Sequence, residues 1–405
     1  MQRKLWLLLV ALFALQPCIK AQILPGQDGS GDHSVLGQTP NAISTAVPFI
    51  SMAPDARSAG MGDIGVATTA DLNAQHYNAA KYPYMKDNFG FSLTYSPWLI
   101  NLVPDMSLAY LSGAYKFKDD RSAIAFSLLY FSMGDVTFTT EYDQVGTTYR
   151  PNEFSVDLSY SRKLIDVLSI AVTGRFIYSN LTMGQYVQGD DTRAGLAGAA
   201  DIGLYYNQDF DLKNAQTGTL MAGLSITNIG NKISYVSNPS DEDKNFLPTT
   251  LRLGIGFNWH IDDYNSVGFY GEASKLLVPT SPLSGGIDSL GSPILIGQDP
   301  DVNVMQGIFQ SFSDAPGGFK EEMQEIMWSL GAEWWWRDLL AIRAGYFHES
   351  KWKGNRQYFT LGVGLRYKMI GLDFSYLIPT SQVSGSNPLK NTLRIGVNFN
   401  FNRKN

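Results

Sequence analysis

The residues with the strongest claim to chemistry are few, and each lacks the neighbours its chemistry needs. Gly60-Met61-Gly62-Asp63-Ile64-Gly65 spells the G-x-G-x-x-G fingerprint of dinucleotide sites. That fingerprint cradles a pyrophosphate only between a strand and a helix, and the flanking sequence has neither pattern. Asp299, Asp301 and Asn303 have the spacing of the first calcium-loop ligands. Position six of that loop is Val304 rather than Gly, and no bidentate Glu follows at position twelve. His33, His76, His260 and His348 show no metal-ligand spacing, and no G-x-S-x-G elbow occurs. The reading is that the chain is not an enzyme and uses neither metal nor cofactor. The net charge of −6 provides no basic footprint for nucleic acid.

The remaining polar residues fall into a pattern. In 393–402, Leu393, Ile395, Val397, Phe399 and Phe401 face one way, while Arg394, Gly396, Asn398, Asn400 and Asn402 face the other. The same alternation recurs in 154–161, 168–178, 251–260 and 359–367. A period of two puts apolar side chains on one surface of a strand and polar ones on the other. Strands of a soluble sandwich usually run about five or six residues. These run nearer ten, the length of a tilted membrane strand with lipid outside and a polar lumen inside. The expectation is an all-β membrane protein, an antiparallel transmembrane β-barrel of about fourteen strands. Connectors alternate between tight ones, such as 163–166 and 368–371, and long ones, such as 134–152 and 231–247. Short periplasmic turns against long extracellular loops is the outer-membrane arrangement. Trp98, Trp328, Trp334, Trp335 and Trp336 near strand ends are read as aromatic girdles.

The strand registers then aim charge inward, at Asp157, Arg175, Asp201, Arg252, Glu272, Glu333, Arg343, Arg366, Asp373 and Arg394. Balanced charge inside a barrel either ties down an internal plug or lines a path for a solute. The segment 45–87 is a natural plug. It is rich in Ala, Gly, Met and Asp, alternates nowhere, and at this length holds no core of its own. The expected network joining hatch to lumen is Asp55, Arg57, Asp63, Arg252, Glu333, Arg343, Arg366 and Arg394. Lumen glycines Gly254, Gly256, Gly362 and Gly364 would leave room for a ligand or let the hatch approach closely.

Ahead of the hatch, Arg3 and Lys4 precede the apolar run 5–15, and Ala21 offers a cleavage site. Residues 1–21 read as a secretory signal peptide and 22–44 as a flexible periplasmic leader. Cleavage after Ala21 would remove Cys18, the one cysteine. The barrel takes 88–405, with both termini periplasmic. Its longest connector, 276–322, carries the apolar clusters Ile294, Leu295, Ile296 and Ile308, Phe309, Phe312. These would form an exposed partner surface or fold down over the barrel mouth. Ser313 and Asp314 would cap a short helix through 319–324.

The order of signal peptide, Asp55-Ala56-Arg57-Ser58-Ala59-Gly60-Met61-Gly62-Asp63 with Ile64-Gly65-Val66-Ala67, Tyr77-Asn78-Ala79-Ala80, then about fourteen strands, resembles the FadL-type outer-membrane barrels. More closely it resembles the PorV (LptO) family of the type IX secretion system. Related barrels often carry Asn-Pro-Ala where this chain has Asn78-Ala79-Ala80. The resemblance implies an outer-membrane shuttle that accepts cargo through its C-terminal signal domain at a large SprA-like translocon barrel. It would deliver that cargo to a PorU-like sortase and attachment complex, where cargo is joined to lipopolysaccharide. The alternative it implies is a FadL-like transporter of hydrophobic small molecules.

Overall fold

In lipid every backbone N–H and C=O needs a protein partner, and a closed barrel is the β arrangement with no unpaired edge. The computed structural model describes residues 41–99, 103, 105–139, 145–187, 190–212, 216–240, 243–287, 293–380, 389 and 392–402, and its strands close into such a barrel. The strands are β1 (Phe89–Pro97), β2 (Ser107–Lys116), β3 (Ser122–Ser132), β4 (Asn152–Ile165), β5 (Leu168–Asn180), β6 (Gly195–Asp211) and β7 (Thr217–Gly230). They continue as β8 (Thr250–His260), β9 (Asn265–Leu276), β10 (Met327–Trp336), β11 (Leu340–His348), β12 (Gln357–Tyr367), β13 (Ile370–Pro379) and β14 (Leu393–Phe401). Each pairs antiparallel with its neighbour, and β14 closes on β1 with Phe89 opposite Phe401 and Tyr95 opposite Ile395. All fourteen expected strands are present. No helix is long and apolar enough to cross a membrane.

The apolar pattern sets the register. In β1, Phe89, Phe91, Leu93 and Tyr95 are exposed on the outside, while Ser92, Thr94 and Ser96 are buried inside. Trp328, Trp334 and Trp336 face out, as girdle residues should. Trp335 and Trp98 do not. Trp335 stands on the inward register beneath Arg343 and Arg366, and Trp98 lies just past β1 against Arg394. Tight turns gather at one end, where Asp120, Arg337, Asp338 and Lys368 take left-handed φ to reverse the chain quickly. At the other end the long connectors carry two-stranded ribbons, Val136–Thr139 with Val145–Tyr149 and Leu283–Ile287 with Pro293–Ile296, which the sequence reading did not separate from loop.

Residues 41–87 fill the interior as a hatch. The segment starts among the long loops: Asn41 N–H donates to the Trp352 carbonyl, and its side-chain amide to Ser281 O and Glu321. It then runs through a 3-10 turn (Pro48–Ser51) and the one-turn helix α1 (Ala56–Ala59), capped by Asp55 accepting from Ser58 N–H at 2.8 Å. Two more 3-10 turns, Ala74–His76 and Ala79–Tyr84, bring it to the tight-turn end, where Lys116 Nζ donates to Met85 O. Residues 41–44 thus lie at the long-loop end, opposite the end at which β14 finishes. Residues 1–40, on which the expected signal peptide falls, lie outside the described residues.

Between β9 and β10 the long connector forms a lid with helices α2 (Val304–Gln310) and α3 (Phe319–Gln324). Asn303 caps α2, its side-chain oxygen accepting from Gln306 N–H. The α3 helix forms where expected, but Gly318 precedes it and Asp314 instead accepts from Thr280 N–H.

Candidate functional site

The hatch is tied to the barrel by one chain of alternating charge. Arg57, buried on α1, makes a bidentate pair with Glu333 on β10, with Nε 3.1 Å from Oε1 and Nη2 2.8 Å from Oε2. Its Nη1 reaches Asp71 at 2.6 Å, and Nη2 also donates to the Thr69 hydroxyl. Glu333 stands directly opposite Arg343 in the β10–β11 register and accepts from its Nε at 2.7 Å. Arg343 continues to Asp373 at 2.6 Å, which accepts from Asn398. The sequence Asp71–Arg57–Glu333–Arg343–Asp373 spans hatch and wall. Each buried charge has an opposite neighbour, as burial demands.

A second tie explains the glycine fingerprint. Gly65 N–H and Val66 N–H both donate to one oxygen of Glu272, at 2.9 Å each. The backbone that would cradle a phosphate elsewhere here cradles a carboxylate of the barrel wall. Arg252 sits beside that carboxylate with Nε at 3.5 Å. Arg394 donates to Ala53 O, and Asp63 accepts from the Tyr358 hydroxyl. Of the eight network residues expected, Arg57, Glu333 and Arg343 therefore join one chain, and Arg252, Arg394 and Asp63 meet hatch or wall separately. Asp55 stays within the hatch as a cap. Arg366 stacks 4.4 Å over Trp335 and has no ion pair among the described residues. Asp71 and Lys81 were not foreseen. Lys81 is buried and donates to Gly65 O and the Thr68 hydroxyl, bracing the hatch against itself. The Asp157–Arg175–Asp201 cluster remains within the wall of β4 to β6.

The lumen glycines admit the hatch. A Cβ on Gly254 would lie 2.4 Å from Val66 Cγ1, and one on Gly256 would lie 2.5 Å from Ala67 O. Gly62 takes φ +81° to pass beside Tyr346. The hatch divides the interior into two cavities that share no lining residue. One, of about 440 Å³, opens at the tight-turn end past Asp71 and Arg366. The other, of about 500 Å³, lies under the lid, with Met52, Trp98, Leu276, Met327 and Phe347 among its walls.

The lid is pinned by an ionic clasp. Lys353 reaches Glu321 at 2.5 Å and Glu325 at 2.9 Å, while Lys275 reaches Glu322 at 3.1 Å and also contacts Glu325. Asp314, Glu322 and Glu325 bring carboxylate oxygens within 4.8 Å of one another. Burial, reinforced by Glu325 and Glu322, pushes Asp314 up to about 6 despite the Thr280 N–H it accepts from. A carboxyl whose folded pKa is raised favours the docked lid when protonated. The docked state is then most stable below the ordinary aspartate range and loses stability as pH rises through about 6. Hydrogen exchange at Thr280 N–H, corrected for intrinsic rate, is expected to be more protected near pH 5 than near pH 7.5. In Asp314→Asn that difference should vanish; its persistence would assign the pH dependence to another group.

Above the clasp the lid presents apolar side chains to the outside. Phe319 is 81% exposed and Phe309 70%, with Phe312, Met305, Met323 and Ile296 also exposed. Of the expected contact residues, Phe309, Phe312 and Ile296 hold that position. Ile308 does not: it is 9% exposed, because α2 turns it and Gly307 down toward Phe246 and Pro279. The side chains of Ile294 and Leu295 lie outside the described ones. Phe319, Met305 and Met323 were not named, although the i,i+4 spacing of Met305 with Phe309 and of Phe319 with Met323 was available as a signal.

The family model for the type IX secretion system protein PorV matches residues 36–283, more than half of the chain. The chain belongs to the PorV family. A search of curated proteins finds no match. Among solved structures, the toluene transporter TodX of Pseudomonas putida is similar at 10% identity and TM-score 0.49, covering 86% of this chain and 99% of its own. The Ralstonia pickettii toluene transporter TbuX is similar at 14% identity and TM-score 0.39, covering 86% and 98%. A Pseudomonas aeruginosa FadL homologue is similar at 11% identity and TM-score 0.40, covering 90% and 100%. PorV membership and the closed barrel place the protein in the outer membrane, in the type IX secretion system.

Proposed function

We propose that this PorV-family barrel is a docking shuttle for exported proteins. It accepts the C-terminal signal domain of cargo at a large SprA-like translocon barrel and presents it to a PorU-like attachment complex. The observation that carries this reading is the lid surface. Met305 and Phe309 on α2, Phe312 just past it, and Phe319 and Met323 on α3 stand exposed, and the clasp pins α3. A cluster of large apolar side chains held rigidly in water is a partner surface, and methionine lets such a surface adapt to several partners. The plugged lumen supports the same reading, because a shuttle that handles proteins at the surface needs an anchor that does not leak.

Replacing Phe309, Phe312 and Phe319 together by Asp tests it. Translocon and cargo are expected to be lost from affinity purifications of the tagged barrel, while its abundance and heat-modified migration on gels stay unchanged. Cargo recovered at wild-type levels would remove the lid from the docking role. Transport of hydrophobic small molecules would use the cavity beneath the lid, but that cavity ends on the hatch. Uptake of an apolar solute would have to depend on moving residues 41–87.

A further inference from the structure

The lid clasp carries more negative charge than its lysines balance. Four carboxylates, Asp314, Glu321, Glu322 and Glu325, gather against two ammonium groups, Lys275 and Lys353. Among the described residues no third cation is ion-paired with them, and Arg356, which lines the cavity beneath, is taken by Glu349. The three glutamates are fully engaged. Glu321 accepts from Lys353, Asn41 and Gly317 N–H, and Glu322 from Lys275 and Ala315 N–H. Glu325 accepts from Lys275, Lys353 and the Thr280 hydroxyl. Asp314 is engaged on one side only. It is 2% exposed; its Oδ2 accepts from Thr280 N–H, while its Oδ1 is buried and has no hydrogen-bond partner among the described residues. A buried carboxylate oxygen left without a donor is costly unless a cation completes it. Carboxylate oxygens of Asp314, Glu322 and Glu325 lie within 4.8 Å of one another. That span is about twice a calcium–oxygen distance of about 2.3–2.6 Å.

We propose that Asp314, Glu322 and Glu325 hold a calcium ion that locks the lid. The two negative charges left over on the clasp are what one divalent cation neutralises. Every donor is an oxygen, which selects a hard cation. An irregular set of carboxylates suits calcium, whereas magnesium demands a near-ideal octahedron at about 2.0–2.1 Å. Glu325 and Lys353 line the cavity beneath the lid, so water from that cavity can complete the shell. Like-charge repulsion from Lys275 and Lys353 weakens the site. Its affinity should therefore fall with the weak extracellular calcium modules, at a Kd of about 10⁻⁴–10⁻³ M. The ion would join α3 to the turn before it and, through Asp314 and Thr280, to the chain leaving β9. Sequence spacing hides such a site. Glu322 and Glu325 share a helical face, but Asp314 joins them only because the chain turns at Gly318, with φ +65°, before α3 begins.

The test uses the full-length protein in detergent at pH 7.5, stripped with a chelator, with calcium chloride as the probe. Equilibrium dialysis is expected to show one saturable site per barrel. Trypsin cleavage after Lys320, which is exposed on α3 beside the ligands, provides a second readout. Calcium at ten times the measured Kd should slow that cleavage about elevenfold, the factor 1 + [L]/Kd by which binding depletes the open lid. Asp314→Asn keeps an acceptor for Thr280 N–H and should lose both the binding and the protection. Asp299→Asn is the control and should behave as wild type, since that loop already pairs Asp301 with Lys232. Wild-type protein that gains no protection from calcium would overturn the proposal, without any variant having to fold. Equal protection by sodium chloride at matched ionic strength would overturn it too, because screening would then be the cause. Protection that survives in Asp314→Asn, or is lost in Asp299→Asn, would place the ion elsewhere and refute the site. Cargo docking is read by a separate purification, so failure of one proposal leaves the other standing.

Discussion

Glu333→Ala is expected to be the most damaging single substitution in the lumen. It removes the carboxylate shared by two buried guanidiniums, Arg57 at 2.8 Å and Arg343 at 2.7 Å, and leaves both with reduced compensation. Breaking a buried pair by deleting one partner typically costs about 3–5 kcal/mol, because the surviving charge stays buried. Here two charges survive. Arg57→Ala should cost less, since Glu333 keeps Arg343 and only Asp71 loses its partner. The expected order is wild type, then Arg57→Ala, then Glu333→Ala, in the temperature at which the barrel loses its compact migration on a detergent gel. Conductance across planar bilayers should rise in the same order as the hatch loosens. Equal melting of the two variants would mean that the charges are neutralised by other means and that the chain of ions does not hold the hatch.

Gly345→Val is expected to expel the hatch by steric force alone. A Cβ at Gly345 would lie 2.0 Å from the Met61 carbonyl carbon and 2.3 Å from Gly62 N, so the clash is with backbone and cannot be relieved by a rotamer change. Valine suits a strand, so β11 gains in local preference and the damage falls on the hatch. Overpacking of this kind costs about 1–3 kcal/mol, and backbone-to-backbone clashes lie at the upper end. The checking measurement is limited trypsin digestion, in which Arg57 should become a cleavage site while the barrel remains intact. Gly174→Val is the control: it sits on the outward face of β5, where a Cβ would meet nothing within 4 Å, and it should digest like wild type. Arg57 remaining protected in Gly345→Val would mean that the clash is absorbed with the hatch still in place, contrary to the packing described.

The barrel was legible because its signal is repeated and local. Ten-residue strands with a period of two report their own register, and from register the inward direction of Glu333, Arg343 and Asp373 follows directly. The Arg57–Glu333 pair was legible from charge balance, since an inward-facing carboxylate in a polar lumen requires a cation and the hatch offers few. The partners of Asp55 and Asp63 were not. A cap and a tyrosine hydroxyl satisfy a carboxylate as well as a guanidinium does, and only the path of the backbone decides between them. The burial of Ile308 was hidden for a related reason. In a two-turn helix with Met305, Ile308 and Phe309 all apolar, and Phe312 just beyond it, composition names no preferred face, and the contact of Gly307 with Phe246 chooses it. The entry point of the hatch escaped because a segment without periodicity carries no direction.

The seam between β1 and β14 has a consequence for the order of events during assembly. β14 is the last strand to be synthesised, and β1 follows immediately on the hatch, whose Leu72 side chain lies against Gly90 beside Phe399 at that seam. A segment that passes from one mouth to the other and fills the space between cannot be pushed into a cylinder already shut. The wall must therefore be wrapped around the hatch while a gap is still open, with the β1–β14 ladder zipped last. The plug then serves as the mandrel on which the barrel is wound.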